Sequence, residues 1–132
     1  MKEKTSVDSS DRSRTIMIVD DDPLIRCLTR RIVEHSGYTV VAEANDGMEA
    51  IARYSEDRPH ITLMDVCMPN KNGFDATRDI VSFDRNAKVV MCSAAGHGGL
   101  QEMALEVGAA EVIFKPFRIN HLRKVLHKVF HT

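Results

Sequence analysis

The sequence predicts an α/β fold built on one parallel β-sheet, and three observations carry that prediction. Five short apolar runs alternate with five longer segments whose apolar residues recur at helical spacing. Runs that are apolar at successive positions suit strands buried on both faces of a parallel sheet. Polar residues stand at the ends of these runs, where open α/β sheets place their sites. Strands alternating with helices in this way imply right-handed crossovers.

Thr15 opens the first strand, Ile16, Met17, Ile18 and Val19 form its apolar run, and Asp20-Asp21-Asp22-Pro23 stops it. Asp22 is a natural N-cap, and Pro23 a natural first helical residue, because the N–H it lacks has no helical partner there. Leu24, Ile25, Leu28, Ile32 and Val33 recur at helical spacing, and Gly37 closes that helix. Tyr38 to Ala42 reads as the second strand. Met48, Ala50, Ile51 and Tyr54 mark the second helix, with Asp46 near its start and Pro59 beyond it. Ile61 to Met64 is the third strand and ends at Asp65. Pro69, Asn70, Asn72 and Gly73 mark a loop, and Phe74, Ala76, Ile80 and Val81 a third helix. Val89 to Cys92 is the fourth strand, ending at Ser93. Leu100, Met103, Ala104 and Val107 form the fourth helix, closed by Gly108. Val112 to Phe114 is the fifth strand, ending at Lys115-Pro116, and Ile119, Leu122, Val125, Leu126 and Val129 form the last helix.

At 132 residues the chain has the size of one domain, with little room for an output domain beside the α/β core. Its composition, 43% hydrophobic and 28% charged, is that of a globular chain that needs no disulfide or metal staple. Lysine plus arginine is 18 and aspartate plus glutamate 19, a balance that argues against a chain built to hold nucleic acid or an anionic membrane. No apolar run approaches the roughly 20 residues of a membrane helix. Residues 1–14 are polar and charged, so a disordered tail is expected there, and no secretory signal, ahead of a domain over 15–131. Cys27, Cys67 and Cys92 form no C-x-x-C pair and predict reduced thiols in a cytoplasmic protein.

In a parallel sheet all carboxyl ends lie along one edge, so Asp20, Asp21, Asp65, Ser93 and Lys115 are expected to converge. Three close carboxylates repel and raise one another's pKa. A hard divalent cation such as Mg²⁺ relieves that repulsion through oxygen ligands. A cation, a lysine and a hydroxyl together suit a phosphoryl group, and one carboxylate could accept it as an acyl phosphate.

These residues resemble the receiver domain of two-component response regulators. The resemblance rests on Val19-Asp20-Asp21, Met64-Asp65-Val66-Cys67-Met68-Pro69 with Gly73, Cys92-Ser93-Ala94 and Lys115-Pro116-Phe117. It spans about Thr15 to Phe130 and is greatest to the single-domain, chemotaxis-type (CheY-like) members. It implies a flavodoxin-like (βα)5, doubly wound five-stranded parallel sheet in the order 2-1-3-4-5. It implies that Asp65 is the phosphoacceptor and that Asp20, Asp21, Asp65 and the backbone carbonyl of Cys67 hold Mg²⁺ (or Mn²⁺), Asp21 directly and Asp20 through water. Ser93 would hydrogen-bond the phosphoryl group and Lys115 ion-pair with it, with a cis bond to Pro116. The implied partners are a sensor histidine kinase as donor, a downstream target protein and a phosphatase, with the fourth helix, fifth strand and fifth helix as the switched surface. The chain would be a monomer or a weak phosphorylation-dependent dimer, a signalling switch and not an enzyme acting on other substrates.

Two features depart from the family's pattern. Val112 stands where many receivers carry an aromatic, and Phe114 lies two residues on, at the spacing that shares a strand face. The segment Ala94-Ala95-Gly96-His97-Gly98-Gly99 is rich in glycine, which suits first a flexible entry to the fourth helix and, as the sharper alternative, a switch loop that moves at low cost, with His97 solvated. Cys67 is expected to be an inert thiol beside the acids. The last helix carries Arg118, Arg123, Lys124 and Lys128 without an acid, a solvated basic face or a surface for an acidic partner. The competing readings are a Mg²⁺-dependent aspartyl-phosphate phosphatase or phosphotransferase, a receiver excised from a larger regulator or hybrid kinase, and a flavodoxin-like cofactor binder. The adjacent aspartates are not the Asp-x-Asp of dehalogenase-type phosphatases, and Asp20 to Asp22 would repel a cofactor phosphate.

Overall fold

The computed structural model describes residues 14–94 and 99–132; the N-terminal segment before Arg14, and His97 with Gly96 and Gly98, lie outside them. The strands are β1 (Thr15–Val19), β2 (Thr39–Ala44), β3 (Ile61–Asp65), β4 (Lys88–Ala94) and β5 (Glu111–Lys115). The helices are α1 (Pro23–His35), α2 (Gly47–Asp57), α3 (Gly73–Phe83), α4 (Leu100–Glu106) and α5 (Ile119–Phe130). All strand pairs are parallel, in the order β2-β1-β3-β4-β5, as the resemblance implied.

Strand alternation divides the core into two layers. Met17, Val19, Met64, Val89 and Met91 pack under α2, α3 and α4 with Ala50, Tyr54, Ala76, Ile80 and Ala104. Ile16, Ile18, Ile61, Leu63, Val90 and Ile113 pack under α1 and α5 with Val33, Leu122, Leu126 and Val129. Every residue of β3 is buried, which explains why its sequence reads as a continuous apolar run.

Local chemistry sets the element ends. Asp22 caps α1 by accepting from the N–H of Leu24 at 2.9 Å. Asp46 caps α2 from Glu49 N–H at 2.8 Å, and Glu49 reaches back to Asn45 N–H at 2.7 Å. The helix of Gly37 closes as expected, with that glycine at φ 92°.

Two expectations need correction. The buried stripe of α1 runs through Thr29 and Val33, whereas Leu24 and Leu28 are 65% and 49% exposed. Helical spacing marks an apolar face but not which face meets the sheet, and here a threonine replaces a leucine on the inner one. The second strand runs to Ala44 and not to Ala42. It is an edge strand whose exposure alternates, and its pairing continues because Asp20 N–H donates to Ala44 O at 3.1 Å.

Candidate functional site

Three strand ends bring Asp20, Asp65 and Lys115 together. Each lies two residues beyond an inward residue of the α1/α5 layer (Ile18, Leu63 and Ile113), so alternation turns all three to the same face. The ammonium of Lys115 donates to Asp20 Oδ2 at 2.6 Å and to Asp65 Oδ1 at 3.1 Å. These side chains are well covered, at 22% for Lys115, 6% for Asp20 and 10% for Asp65. Asp21 is exposed, yet Asp20, Asp21 and Asp65 each offer an oxygen within 4.8 Å of the others.

Asp20 is fixed at every polar atom. Its N–H is paired with Ala44, Oδ1 accepts from Asp22 N–H at 2.9 Å, Oδ2 from Lys115, and its carbonyl from Arg26 Nη1 at 2.7 Å. The loop after Asp65 folds back tightly, with Gly73 N–H donating to Val66 O at 2.9 Å. The Lys115–Pro116 bond is cis, as the resemblance implied.

Burial pushes the Asp65 carboxyl above the ordinary aspartate range; Lys115 opposes this, and the charges of Asp20 and Asp21 add to it. Burial alone would lower Lys115, but its hydrogen bond to Asp20 and the charges of Asp65 and Asp20 hold it above the usual lysine value. The expected mutual repulsion is therefore present at Asp65 but is second to burial. Three carboxylates against one ammonium leave the site short of positive charge, and an all-oxygen donor set of this spacing suits a hard cation.

Ser93 is not hydrogen-bonded through its hydroxyl to Asp65 or Lys115. Alternation after Val89 and Met91 turns it toward the α2–α4 layer, and its hydroxyl donates to Ala94 O at 3.0 Å. It is 4% exposed and stands one rung beyond the Asp65–Cys92 pair. The Cys67 side chain is exposed. Val112 packs against the α2–α4 layer, while Phe114 is 39% exposed. Of the basic residues on α5, Lys128 pairs with Glu111 at 2.9 Å.

Arg26 was not singled out from the sequence. Arg26 Nε lies 3.0 Å from Glu43, and Nη1 donates to Asn45 Oδ1 at 2.8 Å as well as to Asp20 O. The available signal was a cation in the first turn of a helix, where the helix dipole disfavours one.

A five-stranded parallel sheet in this order, with an acidic cluster and a lysine at its carboxyl edge, defines a receiver-type α/β domain. Residues 16–127 match the family model of the response regulator receiver domain, and the chain belongs to that family of two-component signalling modules. It is 39% identical over 116 residues to the chemotaxis protein CheY of Thermotoga maritima, covering 88% of this chain and 97% of that one. It is 35% identical over 113 residues to CheY of Bacillus subtilis, covering 86% and 94%. Among solved structures, a CheX–CheY–BeF3–Mg²⁺ complex from Borrelia burgdorferi matches with a TM-score of 0.84 and 31% identity over 88% of each chain. A LuxR-family two-component response regulator from Aurantimonas matches with a TM-score of 0.85 and 34% identity, covering 89% of this chain and 84% of that one. No helix among the described residues is long and apolar enough to cross a membrane.

Proposed function

We propose that this chain is a CheY-like switch that takes a phosphoryl group from a histidine kinase onto Asp65. The observation that carries the reading is the half-buried Lys115 ammonium shared between Asp20 and Asp65 beside the exposed Asp21. In the transfer, a carboxylate oxygen of Asp65 forms the new O–P bond while the N–P bond of the donor phosphohistidine breaks. The bonding pair returns to the imidazole. Asp65 must be ionised to attack, and Lys115 favours that form. Once phosphorylated, Asp65 carries about two negative charges, which Lys115 meets from one side as an ion pair. Ser93 donates its hydroxyl to a phosphoryl oxygen, exchanging it for the present bond to Ala94 O.

Asp20, Asp21, Asp65 and the backbone carbonyl of Cys67 would hold Mg²⁺ or Mn²⁺. When bound, that ion supplies charge neutralisation for the transferring phosphoryl oxygens. The output is a changed α4–β5–α5 surface offered to a target protein, in a chemotaxis-type pathway. Such a switch turns over only its own phosphoryl group.

The test is labelling by a small phosphoryl donor with Mg²⁺. One acid-labile phosphate is expected on the wild type and none on Asp65→Asn. Stable labelling of Asp65→Asn would remove the site assignment, and steady turnover of small phosphate esters would favour a phosphatase instead.

A further inference from the structure

We propose that Arg26 is a positioning residue for the cation site: by holding the carbonyl of Asp20 it fixes the peptide that carries Asp21. The proposal rests on the reading of Asp20, Asp21 and Asp65 as a cation site. Arg26 is the fourth residue of α1, within the turn where the positive end of the helix dipole disfavours a cation. A residue that breaks a local rule is a candidate for a functional role. Its side chain is only 17% exposed, and its guanidinium is spent on three acceptor groups at once. It joins the Asp20 carbonyl after β1 to Glu43 within β2 and Asn45 beyond it, at 2.7, 3.0 and 2.8 Å. Glu43 is in turn held by Arg30 on the next turn of α1.

The consequence falls on Asp21. Asp20 is anchored through its own carboxylate and N–H, but exposed Asp21 takes its direction from the backbone before it. The Asp20 carbonyl belongs to the peptide that leads into Asp21, so a donor on that oxygen sets the plane from which the Asp21 carboxylate projects. A planar, forked guanidinium can serve the carbonyl, the amide oxygen and the carboxylate together; an ammonium cannot reproduce that fork.

Positioning and simple electrostatics predict opposite signs. Arg26 is a cation near an acidic cluster, so by Coulomb's law its removal strengthens cation binding. If it positions Asp21, its removal weakens binding, by about tenfold or more, as is typical when a residue supporting a metal ligand is lost.

The experiment is a Mn²⁺ titration of the full chain, reading free Mn²⁺ by electron paramagnetic resonance, for wild type, Arg26→Met, Arg26→Lys and Asp21→Asn. The expected result is a dissociation constant raised about tenfold in Arg26→Met and about threefold or more in Arg26→Lys. Circular dichroism establishes that each variant is folded. Should Arg26→Met fail to fold, Arg26→Lys decides, since it keeps the charge and electrostatics then predicts no change. Binding equal to or tighter than wild type in the folded variants overturns the positioning role alone. A wild type that takes up no Mn²⁺, or uptake unaffected by Asp21→Asn, overturns the cation-site reading beneath it.

Discussion

Replacing Gly73 with alanine probes how the connection between β3 and α3 holds Asp65 in place. A Cβ at Gly73 would stand 2.2 Å from the Asp65 carbonyl oxygen, 2.9 Å from Val66 Cα and 3.0 Å from the Asp65 carbonyl carbon. Carbon atoms in good contact sit about 3.5–4.0 Å apart, so the methyl overlaps backbone by roughly 1 Å. No flexible side-chain end is there to swing away, and Gly73 N–H is already tied to Val66 O. Overpacking of this kind costs about 1–3 kcal/mol, and disturbing the hydrogen bond costs about 1 more. Alanine is the better helix former and returns at most about 1 kcal/mol. The net is a loss of about 1–3 kcal/mol, or roughly 4–11 °C in Tm for a domain of this size. Thermal melts followed by circular dichroism measure it, with Gly37→Ala as the comparison. At Gly37 the φ of 92° is strained for alanine but no atom lies within 4 Å of the new Cβ, so a loss of only about 1 kcal/mol is expected. Phosphorylation of the folded fraction should also slow by up to about 100-fold, because the displaced atoms belong to Asp65 itself. A Tm for Gly73→Ala equal to or above that of the wild type would refute the reasoning, since helix propensity would then be the larger effect.

Asp65→Asn should raise Tm at neutral pH. The folded-state pKa of Asp65 lies above its unfolded value, so the folded protein binds that proton more readily and ionised Asp65 disfavours the fold. Wild-type stability at this residue is therefore gained as pH falls through the raised pKa, and the advantage of Asp65→Asn should shrink in melts at acid pH; a lower Tm for the variant at pH 7.5 contradicts this. Lys115→Met should cost about 3–5 kcal/mol in denaturant titrations, because it leaves two well-covered carboxylates without their partner. Millimolar Mg²⁺ should restore more stability to that variant than to the wild type, and equal effects of Mg²⁺ on both would count against the cation site. Burial pushes the Cys92 thiol up to about 12, so alkylation at pH 8 mapped by mass spectrometry should label exposed Cys27 and leave Cys92 untouched.

The element order was legible because β1, β3 and β4 are covered on both faces and so read as apolar runs. The meeting of Asp20, Asp65 and Lys115 was legible for a topological reason, since a parallel sheet aligns its carboxyl ends whatever separates them in the chain. The Lys115–Asp20 pair spans 95 positions and the Lys115–Asp65 pair 50, distances that no local pattern could connect. Sheet order came only from family resemblance, because periodicity does not say which strands are neighbours. The facing of Ser93 was not legible, since one residue more or less at a strand end reverses the side to which it points. Arg26 was missed because its partners Glu43 and Asn45 lie 17 and 19 positions away at the end of a strand. The exposed Leu24 and Leu28 show the converse error, an apolar spacing that meets no core.

The position of Ser93 limits what it can contribute to a phosphorylation switch of the kind proposed. Its present bond to Ala94 O is a neutral one, with a net value of about 1 kcal/mol. A bond to a charged phosphoryl oxygen is worth about 1.5–3 kcal/mol, so the exchange gains roughly 0.5–2 kcal/mol. Moving a two-state equilibrium from 1:99 to 99:1 needs about 5.5 kcal/mol. The hydroxyl alone therefore falls short, and most of the bias must come from Lys115 and the charges it neutralises. The ladder shows how the two could act together. Ser93 pairs with Phe114 and Ala94 with Lys115, on adjacent rungs of the β4–β5 edge. Ser93 faces the α2–α4 layer and Lys115 the α1/α5 layer. In the proposed switch a charge change at Asp65 would thus reach both faces of the sheet through one strand pair, with exposed Phe114 opposite Ser93 in the ladder.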